Sequence, residues 1–426
     1  MNMFYHVLEC RVQQMDLIVR HAHLRNQQGI WDIGITGDRI SVIAEKLTDI
    51  ATEDIDAAGN LVVPTYINGH IHLDKCNLRD KMRPNKTYSW DECLALTWEH
   101  KAQYTVEDIL DRAGRAVEEG VLNGTTIFRA FADVDTIGQL RPIEGLLALR
   151  ERWRDVAHIE VVAFPQEGLI RNPGANDLME EAMRMGADVV GGLPWFEMLD
   201  EDVRKHIDWC FELAKKFNKD IHMLLDETVN PLSRSLEYLA VKTMREGYQG
   251  RVSASHCVAL STYDEAHARK VMELVKEADI SIGSNTHVNL VMQGVFDQEP
   301  VRRGITRVKQ MWQMGINLFT SQDDYNDPFY PFGRNDQQEV AAYLCHAAHM
   351  TGANEIEAAF DFITYNAARA LRLESYGLDP GCHANLNVLA APTVREVLRL
   401  QQPPGWVIRQ GKMLVHNQLQ REFVNH

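Results

Sequence analysis

Gly69-His70-Ile71-His72-Leu73-Asp74 places two imidazoles at positions i and i+2. In an extended strand such residues share a face and stand about 6–7 Å apart along the chain. Side chains mounted that way can converge on one divalent cation, because imidazole is the commonest ligand for catalytic zinc or iron. Two histidines at this spacing also occur as ordinary structural residues, so a metal reading needs further donors. The chain offers them where other strands are expected to end. Gln166 and Glu167 follow Ala163-Phe164-Pro165, Asp226 and Glu227 follow Met223-Leu224-Leu225, His256 follows Ser253-Ala254-Ser255, and Asp323 and Asp324 follow Phe319-Thr320. A divalent metal on histidine and aspartate brings the pKa of its water toward neutrality, and a nearby carboxyl group can then carry protons. Those parts suit attack on an electrophilic carbon that bears an amino group.

The elements that must position these residues alternate in kind. Strands are expected at Leu61-Val-Val-Pro64, Gly124–Phe131, Ile159–Phe164, Asp188–Leu193, Asp220–Leu225, Arg251–His256, Ile280–Ser284 and Ile316–Thr320, eight in all. Helical periods lie between them. Thr105-Val-Glu-Asp108 reads as a capping box opening a helix that has Ile109, Leu110, Ala113, Ala116 and Val117 on one face. Asp200–Lys216 and Ser261–Val275 follow the same rule. Such alternation predicts an α/β fold, a parallel (β/α)8 TIM barrel with its active site at the C-terminal strand ends. A doubly wound open sheet would carry a glycine-rich phosphate fingerprint after its first strand, and none is present.

Both chain ends read differently. Leu17–Arg20, Trp31–Ile35 and Arg39–Ile43 near the start, and Asn385–Leu389 and Trp406–Met413 near the finish, are short strands. They predict a small β-sandwich domain built from residues 15–64 and 376–426, with the barrel at 65–375.

Composition narrows the partners. The net charge of −16 disfavours nucleic acid and anionic membrane. No run has the apolar length of a membrane span, and Met1–Gln14 lacks the apolar core and cleavage site of a signal peptide. The seven cysteines (Cys10, Cys76, Cys93, Cys210, Cys257, Cys345 and Cys382) form no CxxC pair, which suits reduced thiols in the cytoplasm. The HxE and PCxxC signature of nucleic-acid deaminases is missing. The expected partners are a small heterocyclic substrate and further copies of the chain in a homo-oligomer, with no nucleic acid and no membrane.

From about residue 17 to residue 414 the chain resembles the amidohydrolase superfamily, in its bacterial cytosine deaminase and N-isopropylammelide aminohydrolase branch. The resemblance rests on Gly69–Asp74, Val161-Val-Ala-Phe-Pro-Gln-Glu-Gly168, Gly186–Gly191, Arg251–His256, Arg302-Arg-Gly-Ile-Thr-Arg-Val-Lys309, Asp323-Asp324, Asp327–Gly333 and Thr364–Leu371. It implies one divalent ion, zinc or iron, held by His70, His72 and Asp323. It implies removal of an amino or alkylamino group from a planar N-heterocycle by attack of metal-bound hydroxide. Glu227 would carry protons, His256 would hydrogen-bond the hydroxide, and Asp323 would act as base. Gln166 would read the amide edge of the ring, and Asp324, Trp195 and Phe329 would complete the substrate contacts. The fourth strand lacks a lysine for a bridging carbamate, which disfavours the dinuclear branches.

Three positions depart from that pattern. Leu224 stands where a histidine ligand is expected three residues before Glu227, with His222 one layer deeper. The second strand ends in Ala130-Phe131-Ala132-Asp133, and Gln322 precedes Asp323 where histidine is common. Two readings remain open: a working site completed by His256 or Asp226, or a degenerate relative that binds a heterocycle without catalysis. A cyclic-amide hydrolase is a third. His287 is a possible substrate contact, Trp195-Phe196 either stacks on a ring or caps the barrel, and Lys75 reads as a charge partner behind the metal motif.

Overall fold

The computed structural model describes residues 14–87 and 89–424. The expected N-terminal extension, the signal-peptide question and Cys10 lie outside the described residues, apart from Gln14. Among the described residues no helix is long and apolar enough to cross a membrane.

Apolar runs that are buried on both faces form a parallel sheet, as expected when helices cover its outside and side chains fill its inside. Its strands are β1 (Tyr66–Ile71), β2 (Thr125–Asp133), β3 (His158–Phe164), β4 (Val189–Gly192), β5 (Asp220–Leu225), β6 (Val252–His256), β7 (Ser281–Ser284) and β8 (Leu318–Thr320). They are hydrogen-bonded in sequence order, every neighbouring pair parallel. A parallel bridge between Ile71 and Asp323 joins the first strand to the segment after the last. The Asp323 amide donates to His70 O at 2.8 Å, and the His72 amide donates to Asp323 O at 3.1 Å. The sheet is therefore a barrel, closed at the residues that carry the candidate ligands.

Helices return the chain from strand to strand. In Val106–Leu122 the Thr105 hydroxyl accepts from the Asp108 amide at 3.1 Å, and Ile109, Ala113, Ala116 and Val117 are buried. Asp200–Phe217 forms as expected. The segment read as helix Ser261–Val275 divides. A short 3-10 turn covers Val258–Thr262, and the α-helix runs Glu265–Glu277 behind an Asp264 cap that accepts from His267 N at 3.0 Å. Asp264 is a stronger cap than anything upstream, so the helix starts there.

Leu61–Pro64 is a strand, but not the first strand of the barrel. It pairs antiparallel with Leu386–Val388 and parallel with Met15–Leu24, in a separate sheet. Pro64 has no N–H to continue a ladder, and the barrel begins at Tyr66. The separate sheet has eight strands from both chain ends, around Leu17, Val19, Ile33, Ile35, Leu386 and Ile408. Trp406–Met413, expected as one strand, is a hairpin of Trp406–Arg409 and Lys412–His416. Gln410 and Gly411 turn it with φ of 48° and 75°, the positive pair that a tight hairpin needs.

Backbone contacts divide the chain into two units. One comprises the chain through Pro64, Ser375–Thr393 and the residues from Pro404 onward; the other is Thr65–Glu374 with Val394–Pro403. Helix Val394–Leu400 falls in the barrel unit, where it packs on helices Gln337–Ala347 and Ala353–Asp361.

Gly191 in β4 lets the barrel wall close tightly: a Cβ there would sit 2.5 Å from Ala163 O. Gly191→Ala is expected to cost about 1–3 kcal/mol by overpacking, read as a lower denaturant midpoint at unchanged slope.

Candidate active site

His70 is the next-to-last residue of β1, and His72 follows just past the strand's end. Two residues, Ser321 and Gln322, lead from the end of β8 to Asp323. His70 Nε2 and His72 Nε2 lie 3.3 Å apart, and Asp323 Oδ1 is 3.2 Å from the first and 3.4 Å from the second. Ligands about 2.0–2.1 Å from a tetrahedral zinc stand about 3.3–3.4 Å from one another. The three donors already have that spacing. Two imidazoles alone could share a proton, but neither oxygen of the buried Asp323 carboxylate has an aligned hydrogen-bond donor. Such a carboxylate is costly unless something positive meets it. Burial, reinforced by the neighbouring cations, pushes both imidazoles well below the ordinary histidine range, so their lone pairs are free. The residues present fit one divalent cation.

Glu227 and His256 adjoin this set. His256 Nδ1 lies 3.1 Å from Glu227 Oε1, an ion-pair distance when the imidazole is charged, and His256 Nε2 is 3.8 Å from Asp323 Oδ2. Burial works against a charge on His256, but Glu227 and Asp323 outweigh it and raise its pKa to about 9. Burial would also keep Asp323 protonated, yet His256 and His72 hold it below the ordinary carboxylate value. Two asparagines beyond β7 complete the cluster, and the strand-end reading did not single them out. Asn289 Nδ2 donates to Glu227 Oε1 at 3.0 Å and lies 3.1 Å from His256 Nδ1; Asn285 Nδ2 is 3.3 Å from His256 Nε2. Their four-residue separation across the start of helix Thr286–Met292 was the available signal. Asp226, His256 and Asp323 all have left-handed backbones, with φ of 47°, 67° and 62°. Such strain costs on the order of 1–3 kcal/mol per residue and gathers where geometry serves chemistry.

Leu224 lines the cavity beside these groups and belongs to an apolar wall of Phe131, Val162, Phe164, Val189 and Leu193. Phe131, at the end of β2, stacks on the His70 ring with centroids 4.1 Å apart. Apolar contact thus orients His70 where a polar strand end was expected. His222 lies beneath, edge-on to His70 at 5.1 Å, with Ser255 Oγ 3.2 Å from its Nε2 and buried Arg129 3.5 Å from its Nδ1. It is occupied below the rim. Asp226 also turns away. It accepts from Ser233 Oγ, Ser235 N, Ser235 Oγ and Leu236 N at 2.6–3.0 Å, capping helix Ser235–Glu246. Of the two residues considered for completing the shell, only His256 faces the metal donors. Gln322 Nε2 is 2.9 Å from His287 Nε2, and neither residue lines the cavity.

The remaining cavity residues are Lys75, Trp90, Gln166, Leu193, Met292, Asp324 and Phe329. Lys75 Nζ donates to Gln166 Oε1 at 2.9 Å and to Asp133 Oδ1 at 3.1 Å. Behind it, Lys101 Nζ meets Asp133, Asp135 and Glu167 at 2.6, 2.7 and 3.4 Å. Glu167 thus belongs to a buried charge network. Asp324 is pushed well above the ordinary carboxylate range by burial and by Asp327 and Asp323. Asp327 Oδ1 accepts from the amides of Phe329 and Tyr330, each at 2.9 Å, and so fixes the Phe329 loop. Trp195 stands one ring back: it packs on Trp90 with centroids 5.6 Å apart and lines a neighbouring groove with Met198, Arg204 and Tyr238. The indole on the central cavity is Trp90, which sequence reasoning missed because it opens helix Trp90–Lys101, the first of two α-helices between β1 and β2, and is not at a strand end.

If Asp226 is a helix cap and no ligand, Asp226→Ala should lower stability by about 2 kcal/mol and leave the bound-metal stoichiometry unchanged. Thermal unfolding and elemental analysis of the same preparation check both halves.

The profile of the amidohydrolase family matches residues 91–415. The chain is similar to 5-methylcytosine deaminase from Klebsiella pneumoniae, whose structure with phosphonocytosine superposes with a TM-score of 0.91 at 32% identity, over 95% of this chain and 100% of that one. N-isopropylammelide isopropylaminohydrolase from Burkholderia multivorans gives a TM-score of 0.83 at 25% identity, over 94% and 98%. The N-isopropylammelide isopropyl amidohydrolase of Pseudomonas sp. (strain ADP) is 28% identical over 412 residues, 96% of this chain and 99% of that protein. Matches of this length run through both the closed barrel and the strands at its two ends, and the chain belongs to the amidohydrolase family.

Proposed function

We propose that this chain removes an amino or alkylamino group from a planar N-heterocycle by metal-dependent hydrolysis. Its relatives are hydrolases of carbon–nitrogen bonds, and the chain is an enzyme of that class. The observation that carries the finer reading is the spacing of His70 Nε2, His72 Nε2 and Asp323 Oδ1 at 3.2–3.4 Å.

His70, His72 and Asp323 would hold one zinc or iron ion. When bound, such an ion acts as a Lewis acid and makes water acidic near neutral pH. The protein's own groups then manage protons and charge. Glu227, fixed by Asn289 and His256, would take one proton from the attacking water and give it to the ring nitrogen as the C–O bond forms; the proton left on the added oxygen would then pass to the departing nitrogen as the C–N bond breaks, leaving a carbonyl on the ring and a free amine. Charged His256 donates a hydrogen bond where negative charge develops. Burial, and then Asp327 and Asp323, push the Asp324 carboxyl well above the ordinary carboxylate range, which favours its protonated, hydrogen-bond-donating form. Phe329, Trp90, Leu193, Leu224 and Met292 supply apolar surface for the flat ring and keep water out.

Leu224 supports one competing reading, a heterocycle-binding relative without catalysis, because it removes a ligand that the family resemblance leads one to expect. Three protein ligands nonetheless suffice for catalytic zinc. Ammonia or alkylamine release should be measured across pyrimidines, triazines and pterins, on protein as purified, chelated and reloaded. Release that falls with chelation and returns with zinc or iron is expected. No release after loading with either ion would overturn the hydrolase reading in favour of binding alone. Glu227→Gln should lower kcat by about 10²–10⁴ while metal content stays at the wild-type level.

A further inference from the structure

The loop that follows helix Thr286–Met292 reaches Glu227 from outside the cavity. It leaves the helix at Gln293 and comes back against it at Gly304. A Cβ at Gly304 would sit 2.3 Å from Gln293 Cβ and 2.9 Å from Asn289 O, and the Gly304 backbone is left-handed at φ 69°. Neither obstacle is the free end of a flexible side chain, so only glycine lets the returning chain lie there. Between these two points the loop is tied to itself and to the segment after β5. Asp297 Oδ2 accepts from Arg302 Nε at 2.6 Å, the Asp297 amide donates to Gly294 O at 2.9 Å, and Arg302 Nη1 donates to Val229 O at 3.4 Å. A surface loop whose ends meet is a compact unit held by its own contacts. Its base meets Glu227 twice. Gln293 Nε2 donates to Glu227 O at 3.2 Å. Asn289, whose carbonyl accepts from Gln293 N at 3.0 Å, donates through Nδ2 to Glu227 Oε1 at 3.0 Å. Neither Gln293 nor Gly304 lines the cavity.

We propose that Gln293 and Gly304 are positioning residues for Glu227, and that the loop they close is a brace on the segment that carries it. The proposal rests on the reading of Glu227 as proton carrier and adds residues outside the cavity to it. The sheet ends at Leu225, so its register no longer fixes the chain at Glu227. Asp226, the residue between, is spent on capping helix Ser235–Glu246. Anchors for Glu227 must therefore come from another element. Gln293 holds its backbone carbonyl, Asn289 holds its carboxylate, and Gly304 packs against both anchoring residues. Without the backbone anchor the side chain is tied only at its tip. Bulk at Gly304 would move both anchors together. Proton transfer needs hydrogen-bond reach, and a misplacement of about 1 Å can cost on the order of 10²-fold.

Gln293→Met keeps the length of the side chain and removes its donor. In the metal-loaded full chain it should lower kcat about fivefold to tenfold, with KM and bound metal unchanged. In a Glu227→Gln background, where no proton carrier is left to place, it should lower kcat no further. Gly304→Ala should follow Gln293→Met in both backgrounds; if it fails to fold, Gln293→Met decides. Phe296→Ser, at the 86% exposed tip of the same loop, should leave kcat at the wild-type value. Hydrogen–deuterium exchange across residues 226–232, read without substrate, should quicken in Gln293→Met and not in Phe296→Ser. Unchanged exchange or unchanged kcat in Gln293→Met, an equal further loss in the Glu227→Gln background, or an equal effect of Phe296→Ser would overturn the brace. Full activity in Glu227→Gln rejects the proton carrier, and quickened exchange then still retains the anchor. Loss of activity in Glu227→Gln with unchanged exchange in Gln293→Met does the reverse. Protein that turns over no heterocycle is judged by exchange alone.

Discussion

Closure of the barrel between β1 and the segment after β8 is the constraint on which the site depends. Two backbone hydrogen bonds make it, from Asp323 N to His70 O and from His72 N to Asp323 O. They clasp Asp323 between the two histidines in the peptide ladder itself. The carboxylate then has little freedom, and a left-handed backbone at φ 62° turns it toward the imidazoles. The candidate metal donors are thus spaced by sheet register, which is far stiffer than side-chain packing alone. Any change that loosened this seam would disperse the donors before it altered their chemistry.

Around that seam the molecule buries charge in two arrangements with different consequences. Asp323 and Glu227 share His256 as their cationic neighbour, and Asn289 secures the Glu227 oxygen. On the side of β2 and β3, Lys75 and Lys101 are matched by Asp133, Asp135 and Glu167. Burial would draw both lysines toward neutrality, but the carboxylates more than restore their charge. Buried ion pairs seldom add net stability over apolar packing; their well-attested use is to specify an arrangement. Here the arrangement specified is the orientation of Gln166. The apolar wall of Phe131, Leu193 and Leu224 plays the complementary part, stacking His70 and excluding water where a further polar ligand is absent.

Much of this was legible in residue order because barrels display strand ends. His70, His72, Gln166, Glu227, His256, Asp323 and Asp324 follow apolar runs, and all but His70 line one cavity, with His70 among the residues that could hold a metal ion beside it. What escaped was carried by other elements. Asn285 and Asn289 act from the start of a helix of seven residues, and Trp90 from helix Trp90–Lys101 between β1 and β2, so no strand period marks them. Leu61–Pro64 looked like the first barrel strand because apolar runs do not announce which sheet they join; the proline at its end was the distinguishing sign. The hairpin at Gln410-Gly411 was hidden in the same way, since its flanking residues read as one continuous strand. Asp226 looked like a rim carboxylate, and only the serines seven and nine residues downstream identify it as a cap.

The central claim is that three side chains spaced by the closing ladder bind one metal ion without a ligand from β5. Cobalt(II) titration of metal-free protein tests it directly through the visible absorption of the ion. The account predicts saturation at one equivalent with the intense bands of a four-coordinate site, and loss of that site in Asp323→Asn. Absence of binding, saturation at two equivalents, or an unchanged spectrum in Asp323→Asn would contradict it.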